Sequence, residues 1–370
     1  MKKIMILANS SKGVYGFRNE LMLKLLSEYE VYVSVPDEVS TKELAEEGCT
    51  IIHTDINRRG VNPVQDMGLI FDYFKLMKKY KPDVVLTYTI KPNIYGGLVC
   101  RIKKIPYMTT ITGLGSGFEK DGLLKKLIVT MYRFALKKAE CIFSQNKENM
   151  GIFKDCGIEG KKTRLVQGSG VNLTVNNFEE YPSEDEKIHL LYVGRIMKEK
   201  GVAELLEAAK FFKCENTSIQ DEIKDKLSFD LLGYCDDDIK DELDKYSDQG
   251  FINQLGFSPN VHEYLKNASA IVLPTYHEGM SNVLQEASAV GRPVIATDIS
   301  GCREIFEEGV TGFGCEPKNW VSLKDAIEKL LKLSRSERLK MGERARAKME
   351  KEFDRNLVIA SYIDEIEGCL

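Results

Sequence analysis

The stretch AIVLPTYHEGMSNVLQEASAVGRPVIATD (residues 270–298) carries the pattern that decides the fold. AIVLPT (270–275) is an unbroken apolar run, and PVIATD (293–298) is a second. Between them Ser281 or Asn282 can cap a helix, because both side chains accept a hydrogen bond from a first-turn amide. Strands that are apolar without alternation and are separated by helices belong to parallel sheets covered on both faces. The loop HEGM then lies at the carboxyl end of a strand, where such sheets bind ligands.

The same rhythm extends outward in both directions. IHLLYVGR (188–195), SFDLLG (228–233) and INQLGF (252–257) complete the strands of the second half. The first half repeats the alternation with KIMILA (3–8), VYVSVP (31–36), IIHTD (51–55), DVVLTY (83–88), PYMTTIT (106–112), CIFSQN (141–146) and TRLVQG (163–168). Helical patterns fall between them, for example over 17–27 and 68–80. The polar stretch NLTVNNFEEYPSEDEK (172–187) loses apolar periodicity and reads as a linker. The fold class expected is therefore α/β, with two doubly wound Rossmann-like domains facing across a cleft. Their bounds are 1–172 and 188–352, joined by a linker at 173–187. A closing helix over 353–370 is expected to pack back toward the first domain.

Composition narrows the function classes. The 370 residues contain no apolar run near the roughly 20 needed to span a bilayer. The apolar run of MKKIMILANSSKG is too short for a secretory signal and reads as a first strand. Nine dispersed cysteines suit a reducing cytoplasm better than a disulfide framework, and four histidines without ligand spacing argue against a metalloenzyme. Residues 1–180 hold 27 basic and 20 acidic side chains, a balance of +7 within a chain of net charge −4. The basic half suggests an anionic partner.

The local chemistry of the second half points to a sugar nucleotide. Gly279 allows close backbone approach, and the amides of Met280, Ser281, Asn282 and Val283 converge at a helix N-terminus that suits phosphate oxygens. Glu286 lies about one turn further on, placed to accept ribose hydroxyls, while Glu278 meets a second polyhydroxyl group. From the neighbouring strand end, Arg195 and Lys200 add two fixed cations that match a diphosphate.

The motifs VGR…KG (193–201), EG…E (278–286) and GRPVIATDISGCREIFEEGVTGF (291–313) resemble those of the retaining glycosyltransferases of family 4, with the GT-B fold. TYTIKPNIYGGLVCRI (87–102) and TTITGLGSGF (109–118) are similar to the branch that adds sugars, often N-acetylhexosamine, to polyprenyl-diphosphate-linked glycans. The resemblance implies that Arg195 and Lys200 neutralise the donor diphosphate beside Gly194, while Glu278 holds the transferred sugar. Glu286 would grip the ribose, and the base, expected to be uracil, would lie near Gly233 and between Gly256 and Val261, beside Phe257. On the acceptor side it implies the loop 10–16, with Ser11 and Gly13, then Lys91 and Asn93, and finally Thr110, Thr112 and Gly113. Threonines stand where many members have a histidine, and Asn172 stands where an aspartate is common. No cofactor or metal is implied, because the nucleotide sugar is a substrate. The expected partners are that donor, a lipid-linked saccharide and an anionic membrane surface, with no nucleic acid and a place on the cytoplasmic face of the membrane.

Other readings use the same residues. The Asp-x-Asp in CDDDI (235–239) could bind a divalent ion, although a solvated loop before a charged helix fits better. A glycosidase would need carboxylates flanking a scissile bond, whereas Glu278 and Glu286 come from one segment beside an anion site. An epimerase would need acid and base groups at the sugar, and none is identifiable. A noncatalytic sensor would not need Arg195, Lys200 and Glu278 together. In the first half, DGLLKKLIVTMYRFALKKAE (121–140) winds into an amphipathic helix. Leu123, Leu124, Leu127, Ile128, Met131, Phe134 and Ala135 share one side, with Lys125, Lys126, Arg133 and Lys137 on the other. That helix either packs its apolar side on a sheet or rests on anionic lipid.

Overall fold

The computed structural model of the chain describes residues 1–57, 63–114, 118, 122–183, 187–214 and 221–370. Residues 115–117 of TTITGLGSGF, Asp121 of the amphipathic segment and residues 184–186 of the polar linker lie outside them. The chain forms two units, Met1–Ser169 with Val358–Leu370, and Gly170–Leu357.

The first unit is built on seven strands: β1 (Lys3–Leu7), β2 (Glu30–Val35), β3 (Thr50–His53), β4 (Val84–Tyr88), β5 (Tyr107–Ile111), β6 (Cys141–Ser144) and β7 (Thr163–Leu165). They pair in parallel in the order β3-β2-β1-β4-β5-β6-β7. Every residue of β4, β5 and β6 is buried, as a sheet covered on both faces requires. The pleat sorts β1 between two cores. Ile4 and Ile6 join one with Val358, Tyr362 and Ile366, and Met5 and Leu7 join the other with Tyr73, Tyr107 and Tyr132.

The second unit repeats the plan with β8 (Ile188–Val193), β9 (Leu227–Leu232), β10 (Asn253–Gly256), β11 (Ala270–Leu273), β12 (Val294–Thr297) and β13 (Gly312–Cys315), in the order β10-β9-β8-β11-β12-β13. β13 is absent from the sequence reading. It is a four-residue edge strand with two glycines, too short and too glycine-rich to register as an apolar run. In each unit the strand order reverses once, between β1 and β4 and between β8 and β11. Crossover helices diverge to opposite faces at such a point, which opens a crevice at the strands' carboxyl ends.

Two expectations change. Residues 10–16, read as a loop, belong to the helix Ser11–Leu26, with Ser10 as its cap accepting from the Gly13 amide at 3.4 Å. Gly13 and Gly16 lower helix propensity there, so the sequence pattern starts only at residue 17. The stretch 172–187 is fastened to the second unit through its described part. Fully buried Arg292 donates to the carbonyls of Glu179 and Glu180, Arg335 donates to those of Tyr181 and Pro182, and the Tyr181 hydroxyl donates to Ser269 O at 2.7 Å. Among the described residues no helix is long and apolar enough to cross a membrane.

Candidate active site

At the reversal point of the second unit, β8 and β11 run side by side, Ala270 opposite Leu190 and Ile271 opposite Leu191. The chain leaving β8 turns through a short 3-10 helix, Lys198–Lys200, into Gly201 at φ +69°. A Cβ at Gly201 would stand 1.9 Å from the Pro274 carbonyl oxygen, so only glycine lets this turn lie against the end of β11. The Tyr276 amide donates to Glu199 O at 3.0 Å and locks the two loops together. The consequence is a direct ion pair, with Lys200 Nζ 2.6 Å from Glu278 Oε1 and both side chains partly exposed.

The backbone beneath Glu278 is also fixed. Gly301, at φ +86°, packs against the Glu278 carbonyl, where a Cβ would approach to 2.7 Å. Its own carbonyl accepts the Ser281 amide at 2.8 Å. Ser281 caps the helix Asn282–Val290, its Oγ accepting from Leu284 N at 3.4 Å. This corrects one detail of the sequence reading. The Ser281 amide is already engaged, whereas those of Asn282 and Val283 have no backbone acceptor among the described residues. Met280 is buried beneath the loop.

Arg195 follows Gly194 at the end of β8. Its carbonyl accepts from the Tyr192 hydroxyl at 2.6 Å, and its Nη2 meets Asp236 Oδ2 at 2.5 Å. Burial pushes the Tyr192 phenol well above its ordinary range, which keeps it a proton donor. Two of the three aspartates of CDDDI, the pair of the Asp-x-Asp, are thus spent on the neighbouring loop. Asp236 holds Arg195, and Asp238 accepts from the Lys198 amide at 3.3 Å. Gly233 directly follows β9 and donates its amide to Gly256 O at 2.7 Å. Beside it the rings of Tyr234 and Phe257 stack at 4.3 Å and 12°, both well exposed. Val261 caps the short helix His262–Leu265 and packs on the core. Sequence reasoning missed Tyr234 and Gly301, and it weighed Asp236 only within the Asp-x-Asp and not as a partner of Arg195; only an aromatic directly after Gly233 could have signalled the first of these.

Glu286 lies within the helix Asn282–Val290 and is half-buried. Burial raises its carboxyl to about 7, against the opposing pull of the Arg355 charge. Asn172, in place of the more usual aspartate, accepts from the Thr174 and Val175 amides at 2.9 and 3.0 Å, a turn either residue type can make.

The reversal point of the first unit gathers the other predicted residues, in two groups. Ser11 is fully buried, its hydroxyl donating to Asp37 and accepting from the Ser40 amide. Asn93 is buried and donates to Thr110 O at 3.0 Å, and Thr110 Oγ1 lies 2.7 Å from the Tyr362 hydroxyl. Ser11 and Thr110 thus brace the framework, while Asn93 keeps its Oδ1 without a hydrogen-bond partner among the described residues. Gly13, Lys91, Thr112 and Gly113 retain exposure. Lys91 Nζ sits 2.6 Å from Asp66 Oδ1. Just before it, Thr89 takes φ +72°, an unusual value for a β-branched residue, and a π-turn follows at Pro92–Gly96. Such strain and helical irregularity concentrate at functional sites.

Two family models match the two halves. One, described as Glycosyl transferase 4-like, covers residues 3–146, and the other, Glycosyl transferases group 1, covers residues 175–348. The chain belongs to these glycosyltransferases. The enzyme is 26% identical, over 98% of its length and 97% of the relative's, to the N,N'-diacetylbacillosaminyl-diphospho-undecaprenol alpha-1,3-N-acetylgalactosaminyltransferase of Campylobacter jejuni. It is 26% identical, over 69% of its length and 68% of the relative's, to the UDP-Gal:alpha-D-GlcNAc-diphosphoundecaprenol alpha-1,3-galactosyltransferase of Escherichia coli. Among solved structures, Anabaena HepE in complex with UDP and glucose superposes over the whole of both chains with a TM-score of 0.77 at 16% identity. The glycosyltransferase thus has the GT-B fold, with two parallel-sheet domains.

Proposed function

We propose that the enzyme transfers a hexose or N-acetylhexosamine from a UDP-sugar to a polyprenyl-diphosphate-linked saccharide, with retention of the donor's anomeric configuration. The Lys200–Glu278 pair at the β8/β11 reversal point carries this reading. It sets a cation for a departing diphosphate within 2.6 Å of a carboxylate for sugar hydroxyls, beside a helix N-terminus with unused amides. Arg195 adds a second cation from the same loop. A donor diphosphate would draw Lys200 and Arg195 away from Glu278 and Asp236, exchanging one charge-assisted contact for another. Glu286, once ionised, would accept from the ribose, and the stacked Tyr234–Phe257 pair would wall the base.

The protein's share of catalysis is then orientation and stabilisation of the leaving diphosphate. In this reading the acceptor hydroxyl oxygen bonds to the anomeric carbon on the face the diphosphate leaves, the carbon–oxygen bond to phosphate breaks, and a donor phosphate oxygen takes the hydroxyl proton. The diphosphate charge is met by Arg195 and Lys200 without a metal ion. The acceptor is assigned from the named substrates of both relatives. The basic first half suits an anionic lipid and a peripheral position on the cytoplasmic face of a membrane.

The test incubates the enzyme with UDP-N-acetylgalactosamine, UDP-galactose or UDP-glucose, an undecaprenyl-diphosphate-linked monosaccharide and EDTA. Transfer giving an α-linked disaccharide by NMR supports every part. A β-linked product would refute retention, loss of turnover in EDTA would refute metal independence, and donor conversion without acceptor would favour an epimerase.

A further inference from the structure

The amphipathic helix Leu123–Leu136 does not hide its apolar side. It buries Val129, Tyr132, Ala135 and Leu136, while Leu123 is 86%, Leu127 52% and Phe134 58% exposed. Wound at 100° per residue, those three form one stripe, with Lys126, Arg133 and Lys137 alongside it. The stripe borders a cavity of about 290 Å³ lined by Ile70, Ile94, Tyr95, Leu98, Met131 and Phe134. Across it the helix Pro63–Tyr80 exposes Met67 and Phe71. One cation stands at the groove wall: the Arg101 guanidinium lies 4.1 Å over the Phe134 ring.

Resting on the acceptor class assigned above, the geometry points to this groove as the seat of the acceptor's polyprenyl chain. The lining is hydrocarbon apart from two hydroxyls, and the Tyr95 hydroxyl is turned away to Asp66 at 2.9 Å. A peptide strand laid in the groove would leave its N–H and C=O groups unpaired, which disfavours an extended peptide. A flat bilayer surface could rest on the stripe but would not fill a recess between helices. A branched hydrocarbon chain fills it and loses water contact, while Arg101 and the cations alongside the stripe complement the anionic phosphate end of the same molecule. Asp66 links the groove to the acceptor side, because its other carboxylate oxygen holds Lys91 at 2.6 Å. The π-turn Pro92–Gly96 thus contributes Ile94 and Tyr95 to the apolar wall immediately after Lys91.

The experiment measures binding of undecaprenyl phosphate in nonionic detergent to the full-length enzyme, with phosphatidylglycerol vesicles as a separate surface probe. Thr130, on the groove wall and solvent-exposed, is replaced in Thr130→Trp, and Ile70→Trp fills the recess from the opposite wall. Melting temperatures verify that each variant is folded. Both substitutions are expected to weaken undecaprenyl phosphate binding about tenfold or more, the scale set by excluding a few methylenes from an apolar site, and to leave vesicle binding unchanged. Unchanged undecaprenyl phosphate affinity in folded variants overturns the proposal. An equal loss of vesicle binding also overturns it, assigning the groove to bilayer contact. A UDP-sugar thermal shift on the same samples isolates the donor reading: its absence with undecaprenyl phosphate binding intact would sink that reading alone.

Discussion

Lys200 and Glu278 neutralise one another across 2.6 Å, and this mutual hold explains how two opposite charges persist in one crevice. Removing one partner leaves the other uncompensated, so the two substitutions should differ in character. On the proposed donor pose, Lys200→Ala would delete a leaving-group contact and is expected to lower kcat by about 10²-fold or more. Glu278→Gln would keep the shape and lose a charge-assisted grip on the sugar, which should appear in discrimination between donor sugars as well as in rate; steady-state kinetics with two UDP-sugars checks both. Glu286 gives a pH signature. Its folded-state carboxyl lies near 7 because it is buried, above the ordinary 4.5. The resulting stability is therefore fully present below pH 4.5 and is lost as pH rises through about 7. Glu286→Gln should be the more stable protein at pH 8, by up to about 3 kcal/mol, and denaturant titrations at pH 5 and pH 8 measure the difference. The wild type should also bind UDP more tightly at pH 8 than at pH 6, with a flatter profile in the variant.

Gly201 shows why loops matter as much as strands. Its missing Cβ lets the β8 loop touch Pro274, and Lys200 reaches Glu278 only because of that contact. Gly201→Ala meets both a backbone oxygen at 1.9 Å and a left-handed φ. We expect donor binding to fall at least tenfold in calorimetry, through displacement of Lys200 and not through loss of any ligand-touching group. Among the described residues, twelve of the thirteen strands were legible, most of them because buried parallel strands are continuous apolar runs; β7 and the exposed β10 were legible from the strand–helix alternation instead. β13 was not, since glycines let an edge strand pair without an apolar signature. The Glu278 loop and its helix were legible from the capping serine and from position after a strand. The first-unit site was less so. Ser11, Asn93 and Thr110 look like ligand-facing polar residues in sequence, yet Ser11 and Thr110 are bonded to partners distant in the chain, as is the Asn93 amide nitrogen. The amphipathic pattern of residues 123–136 gave the two sides of the helix but not which side the fold would cover, because that depends on neighbours far away in sequence.

Across the whole molecule, one strand order appears twice, and each copy brings its candidate residues to its own reversal point. The second unit is also held by a single side chain of wide reach. Arg292 is fully buried and donates to six backbone carbonyls, those of Glu179, Glu180, Leu265, Lys266, Val290 and Gly291. Arg292→Ala would strand these acceptors and is expected to cost about 3–5 kcal/mol, which calorimetry would register as a melting midpoint lower by roughly 10 °C. The central claim remains that the β8/β11 reversal point holds a sugar nucleotide by its diphosphate. The most direct test is a thermal-shift titration with UDP, UDP-sugars, GDP-sugars and ADP-sugars on the wild type, Arg195→Ala and Lys200→Ala. A ligand that binds only the folded state must raise the melting temperature. We expect UDP and at least one UDP-sugar to stabilise the wild type, with the shift reduced in Arg195→Ala and nearly lost in Lys200→Ala. An equal shift in all three proteins, or no shift with any sugar nucleotide at millimolar concentration, would contradict the claim.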